Sequence, residues 1–225
     1  MRVIVFLLLS LSSAFSFQNS VGLAYLYSNS IYTKQSDTST VFPALFYQVN
    51  NFYFRGIEIG YKYNSSISFI LRPNFNTREI KGLEDRKMAL NGGVKYSQDL
   101  SKFKINYTVT HDISNTHNGT QASIKLAKTF INFPFITTTS AGVEYDDKKI
   151  ANYYFGVEEN NIYPTYTTKG TISGVASIMN IYNINKKYSV FTLLSNKFLS
   201  NDIKNSPIVD SSNKSMLLVS LLYKF

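Results

Sequence analysis

Between Phe103 and Thr110 the chain alternates without a break. Phe103, Ile105, Tyr107 and Val109 fall on one side of the pattern, and Lys104, Asn106, Thr108 and Thr110 on the other. A side-chain period of two belongs to a strand whose faces meet different surroundings. The rhythm recurs. Met88, Leu90, Gly92, Val94 and Tyr96 oppose Ala89, Asn91, Gly93, Lys95 and Ser97, and Ile67, Phe69 and Leu71 oppose Ser68, Ile70 and Arg72. Over 52–63, Tyr53, Ile57, Ile59, Tyr61 and Tyr63 oppose Gly56, Glu58, Gly60 and Lys62. No stretch keeps the spacing of an amphipathic helix over several turns. The pattern predicts an all-β protein.

About twelve strands are expected, at 20–28, 40–48, 52–63, 67–75, 87–97, 102–112, 120–129, 135–145, 150–158, 166–182, 188–198 and 216–225. Tight turns such as Val49-Asn50-Asn51 and Asn185-Lys186-Lys187 give the order of an antiparallel up-and-down meander. Residues 150–158 can also be read as an extension of their neighbour, and 171–182 alternates poorly, so ten strands is the alternative count. Longer connections rich in Asn, Ser and Asp fall near 29–39, 76–86, 159–165 and 199–215. This topology assigns 29–39, 64–66, 159–165 and 199–215 to the outward side. It assigns 49–51, 76–86, 113–119 and 184–187 to the periplasmic side.

An alternating chain can close as a soluble sandwich or as a membrane barrel, and the two ends of the sequence separate them. Met1-Arg2, the short apolar run Val3 to Leu9, and the small residues Ala14 and Ser16 read as a secretory signal peptide over 1–16, cleaved near Ser16. The expected mature unit is a single barrel over 17–225. At the other end, Leu217, Val219, Leu221, Tyr223 and Phe225 form an apolar row in steps of two. A closing strand that stops at an aromatic residue resembles the signal read by the outer-membrane assembly machinery. Strands of nine to twelve residues suit an apolar band about 25 Å tall. Aromatic pairs at strand ends (Tyr25 and Tyr27, Phe52 and Tyr53, Tyr61 and Tyr63, Tyr153 and Tyr154, Tyr223 and Phe225) are read as interfacial girdles. The expectation is therefore a transmembrane β-barrel in the outer membrane of a Gram-negative bacterium.

Several stretches carry a family resemblance: Val21-Gly22-Leu23-Ala24-Tyr25, Asn51-Phe52-Tyr53-Phe54-Arg55-Gly56, Tyr153-Tyr154-Phe155-Gly156-Val157, Asn205-Ser206-Pro207-Ile208-Val209 and Tyr223-Lys224-Phe225. In order and spacing they resemble the MltA-interacting protein (MipA)/OmpV family of outer-membrane proteins. The chain departs from it in being short, poor in Gly and free of Trp. The resemblance implies a barrel without a catalytic motif that scaffolds a lytic transglycosylase and a peptidoglycan synthase. Relatives described as porin-like or adhesive imply the alternatives, a narrow diffusion channel or a surface adhesin.

The residues themselves offer little chemistry. Zero cysteines exclude disulfides, thiolate metal sites and thiol catalysis. The two histidines, His111 and His117, are read as surface groups at the membrane rim, because neighbouring His111 and Asp112 on a strand point to opposite faces. Asp146-Asp147-Lys148-Lys149 reads as a solvated turn. No catalytic, cofactor or metal site is assigned. The formal charge of +9 comes from scattered lysines without a basic cluster, which argues against nucleic acid and is compatible with lipid and lipopolysaccharide. Glu58, Lys62, Arg72, Lys95, Lys104, Lys125 and Glu144, on the polar faces of strands, are the candidate lumen-lining residues. Opposite charges in a confined lumen are expected to pair and to leave it narrow or closed.

Overall fold

The computed structural model describes residues 19–225 apart from Phe75, so the expected signal peptide lies outside the described residues. Twelve antiparallel strands close into one barrel. They are β1 (Ser20–Ser28), β2 (Thr38–Val49), β3 (Phe52–Arg55), β4 (Glu58–Lys62), β5 (Ile67–Asn74) and β6 (Ala89–Leu100), followed by β7 (Phe103–Asp112), β8 (Thr120–Asn132), β9 (Phe135–Asp146), β10 (Thr171–Asn183), β11 (Tyr188–Phe198) and β12 (Asn213–Lys224). Each strand pairs with its neighbours in sequence, and β1 meets β12 with Leu23 opposite Leu221. At this seam a Cβ on Gly22 would stand 1.8 Å from the Leu221 carbonyl oxygen, so only glycine permits the approach.

The alternation of the sequence becomes the two faces of the wall. Leu23, Val41, Phe69, Val109, Ile124 and Leu221 point outward and are exposed, as a lipid-facing surface requires. Of the terminal row, Leu217, Leu221, Tyr223 and Phe225 are also outward and exposed. Aromatic contacts ring the end of the barrel that carries the short turns: Phe52–Tyr61, Tyr96–Tyr107, Phe135–Tyr182 and Tyr188–Tyr223, with centroids 4.9 to 5.9 Å apart. Two expected girdle pairs are elsewhere. Tyr53 faces inward at 2 % exposure, and Tyr153 and Tyr154 belong to a helix.

The count of twelve agrees with expectation, but its composition differs. Residues 150–158 are not a strand; helix α1 (Lys148–Phe155) replaces it, and β10 begins at Thr171 rather than 166. The single strand expected over 52–63 is instead the hairpin β3–β4, turned at Gly56 and Ile57 with Gly56 at φ +65°. One missed turn reverses the direction of every strand after it until the false strand restores the parity. Hence 64–66 lies with 50–51, 101–102, 133–134 and 184–187 at the short-turn end. Residues 76–86 and 113–119 lie with 29–37, 147–170 and 199–212 at the other end, opposite to the expected sides.

The β3–β4 hairpin stops partway up the wall. β2 pairs with β3 only over Phe46–Val49, and β5 pairs with β4 only over Ser68–Leu71. By register its turn stands level with Leu45 on β2 and with Pro73 on β5, so among the described residues β2 alone runs on above it, over 38–44, without a ladder partner on that side. The edges carry Pro43 on β2 and Pro73 on β5. The Gly56 amide donates to the Leu45 carbonyl, so position 43, two residues away, turns its backbone the same way, onto the free edge past the hairpin tip. Pro73 stands opposite Leu90, whose carbonyl accepts from Ile113 on the far side. Pro73 therefore turns toward the hairpin tip, level with Ile57. Proline on a free edge offers no amide for another strand to pair with.

Candidate functional site

The barrel interior is divided lengthwise. Ala24, Leu26, Ala44, Phe46, Met179, Ile181, Phe191, Leu193 and Leu218, with Phe42 and Ile57 packed against them, form an apolar patch on β1, β2 and β10 to β12, with the cations Lys197, Lys214 and Lys224 toward the ends of β11 and β12. The opposite wall, β4 to β9, carries charge. Every lumen candidate named from the sequence lies on an inward-facing position there. Glu58, Lys95, Lys104, Lys125 and Glu144 are buried, and Lys62 and Arg72 are half-buried.

The carboxylates of this wall are already engaged. Glu58 Oε1 takes the Lys95 ammonium at 2.6 Å and the Tyr53 hydroxyl at 3.1 Å. Lys197 donates to Glu144 at 2.6 Å and to Asp146 at 2.9 Å, while Lys125 stands 3.9 Å from the same Glu144. Lys104 pairs with exposed Asp99 at 3.1 Å. Four inward cations are held by neutral amides instead: Lys62 by Gln48, Arg72 by Gln121, Lys214 by Asn76 and Lys224 by Asn183. An amide oxygen satisfies a donor without cancelling its charge. The interior therefore carries surplus positive charge.

Lys197 and Asp146 were not recognised from the sequence as parts of this network. Asp146 is buried inside the barrel rather than in a solvated turn, and Asp147 beside it caps α1 by accepting from the Ile150 amide at 3.0 Å. The inward parity of β11 passes through Lys197, and that alternation was the available signal.

Loops close the long-loop end. Ile31, Tyr32, Ile80, Ile150, Tyr154, Phe155, Ile203 and Ile208 meet in a second apolar cluster. They come from 29–37, 76–88, α1 and the 199–212 loop, which holds the short helix α2 (Asn201–Lys204). Arg78 runs through this cap at 1 % exposure, donating to the carbonyls of Tyr154 at 3.2 Å, Gly156 at 2.8 Å and Glu84 at 3.3 Å. Carbonyls at a helix C-terminus favour a cation. Burial nevertheless lowers the Arg78 pKa from its ordinary value.

His117 is buried in the cap, not at the rim. Its ring lies 5.9 Å from both Tyr153 and Tyr154. Nδ1 accepts from the Gly119 amide at 3.0 Å, Nε2 has no partner, and Asp112 stands 3.7 Å from Nδ1. Burial lowers the His117 pKa from 6.5, against the opposing pull of Asp112. His111 is exposed and hydrogen-bonded to Thr120, so the two histidines share no site.

Residues 21–225 match the family described as MltA-interacting protein MipA. The 24 kDa outer membrane protein of Pasteurella multocida is 28 % identical, covering 95 % of this chain and 93 % of that one. The MltA-interacting protein of Escherichia coli is 23 % identical over 81 % and 80 %, and the outer membrane protein OmpV of Vibrio cholerae is 26 % identical over 67 % and 60 %. Among solved structures, the NanC porin is similar at a TM-score of 0.48 and 10 % identity, covering 91 % of this chain and all of that one.

Proposed function

The chain belongs to the family of the MltA-interacting protein MipA, and from that premise we propose that this outer-membrane barrel is a non-catalytic anchor for enzymes that remodel peptidoglycan. The name of the Escherichia coli relative supports an interaction with one such enzyme. The observation that carries the reading is the cap. Its buried apolar cluster, tied by Arg78, stands where an open pore would need a mouth. Outer-membrane barrels keep short turns in the periplasm and long loops outside, which turns the cap outward.

A periplasmic partner then meets the short-turn end. There Phe133, at 83 % exposure, and Ile184 flank a shallow concavity of about 770 Å³ that also takes in Lys186 and Lys224. Exposed apolar groups beside lysines suit a protein partner with an acidic rim. The barrel-assembly machinery and lipopolysaccharide complete the proposed set of contacts.

Cross-linking in living cells, followed by purification of a tagged copy, tests the reading. A peptidoglycan-cleaving enzyme is expected to co-purify and to be lost with Phe133→Asp and Ile184→Asp. Recovery of assembly factors alone would move the function to the second reading, a narrow anion-preferring channel. The amide-held inner cations favour that alternative, and planar-bilayer conductance would then decide it.

A further inference from the structure

We propose that the short-turn end binds peptidoglycan itself, through the free carboxylates that recur along its peptide stems. The proposal takes from the anchor reading only the periplasmic direction of the short turns, and no enzyme partner enters it.

Lysines scattered through the sequence gather at one end of the fold. Lys62, Lys104 and Lys224 face inward around the mouth, from β4, β7 and β12, strands three to five places apart in the closed order. Lys102, Lys186 and Lys187 stand exposed on the turns, and Lys128 lies near the foot of β8. Against these seven cations, Asp99 is the only acidic side chain at this end, and the terminal carboxylate of Phe225 adds one further negative charge. The long-loop end differs. Over 29–37, 76–88, 112–119, 146–170 and 197–214 it holds eleven basic and eleven acidic residues. None of the net charge therefore comes from the cap.

The placement favours a polymer in water over the lipid around the barrel. Of the seven lysines, Lys128 alone is on the lipid-facing side of its strand, between Phe103 and Phe130. The charges at the mouth are largely uncancelled. Lys62 is held by the neutral Gln48 at 2.9 Å and Lys224 by the neutral Asn183. Asp99, which pairs with Lys104, is itself 77 % exposed, and a pair so open to water is weak. Like charges set around an opening focus their field out of it, here toward the periplasm. Exposed Asn50 and Asn51 on the first short turn add amides that can donate to and accept from peptide and sugar. Peptidoglycan offers such a face carboxylates at every repeat, so many weak contacts act together.

The test is sedimentation of the purified barrel, in uncharged detergent, with sacculi stripped of protein. The barrel is expected to pellet with the sacculi at about 0.01 M salt and to be released toward about 1 M, as the screening length falls from about 30 Å to about 3 Å. Amidating the sacculus carboxylates should abolish the binding, an arm that uses the native chain and needs no variant to fold. Lys102→Glu, Lys186→Glu and Lys187→Glu together should abolish it too. The same reversal at three exposed cap lysines, Lys81, Lys148 and Lys169, changes the net charge equally and should leave binding intact. No binding at low salt, undiminished binding to amidated sacculi, or an equal loss from the cap reversal would overturn the proposal. If sacculi fail to bind while the native barrel retains phosphatidylglycerol over phosphatidylcholine, and the turn variant does not, the lysines serve anionic lipid instead. No enzyme is present in this experiment, so its failure would leave the anchor reading standing.

Discussion

The guanidinium of Arg78 donates to the carbonyl of Gly156 at 2.8 Å, tying the loop after β5 to the end of α1. No carboxylate hydrogen-bonds this buried cation among the described residues, so backbone oxygens alone receive it. Arg78→Met should loosen the cap, because a hydrogen bond to a charged group contributes about 1.5–3 kcal/mol. The expected result is faster tryptic cleavage at Lys148 and Lys149 in intact cells, with the barrel still folded. Unchanged cleavage would mean that the apolar cluster holds the cap unaided.

Acid should loosen the same region. His117 has a folded pKa below its ordinary 6.5, so the undocked loop binds a proton more readily than the docked one. Docking is therefore undiminished above pH 6.5 and weakens as the pH falls below that value. Amide exchange over 113–119 should quicken between pH 7.5 and pH 5 beyond the intrinsic pH effect. His117→Asn should flatten that dependence. A native profile as flat as the variant's would remove His117 from the account.

Lys95 and Glu58 form a nearly buried pair, at 6 % and 3 % side-chain exposure. Removing one partner of such a pair costs about 3–5 kcal/mol, whereas replacing both by apolar groups is often close to neutral. Glu58→Gln should lower the temperature at which the folded band is lost in heat-modifiability gels. Glu58→Leu with Lys95→Met should recover most of the loss. Equal damage from the single and double changes would contradict a pairwise role.

Phe225 makes a separation between assembly and stability testable. Its side chain is 61 % exposed on the outer face, and its amide joins the seam by donating to the Asn19 carbonyl at 3.0 Å. Serine keeps that amide. Phe225→Ser should therefore lower the amount of barrel inserted in cells while leaving the melting of refolded barrel in detergent nearly unchanged. Full insertion of the variant would dismiss the terminal-signal reading.

Where two faces meet unlike solvents, the sequence is easy to read. The 103–112 strand and the inward charges at 58, 95, 125 and 144 all follow from parity. Parity is also what made errors travel. Arg55-Gly56-Ile57 has no Asn-Gly or Asp-Gly signal, so the hairpin passed as one strand. α1 escaped because it has eight residues and three aromatic ones, and Ile150, Ala151, Tyr154 and Phe155 bury one face over barely two turns. The two errors cancel in the count while misplacing the loops between them. Arg78 and His117 sit in loops, where no periodicity reports burial.

The join between first and last strands has a consequence for how the cylinder comes into being. Inside, Ala24 and Leu26 belong to the same apolar cluster as Met216, Leu218 and Leu222; outside, Leu23 and Tyr25 stand opposite Leu221 and Val219. Before they meet, each of these terminal strands is greasy on both sides, with almost no wet face to offer the periplasm. An unclosed sheet would thus be a poorly soluble object, vulnerable to sticking to its own kind. Insertion and closure have to proceed as one event, and a chain released between them has aggregation as its nearest alternative.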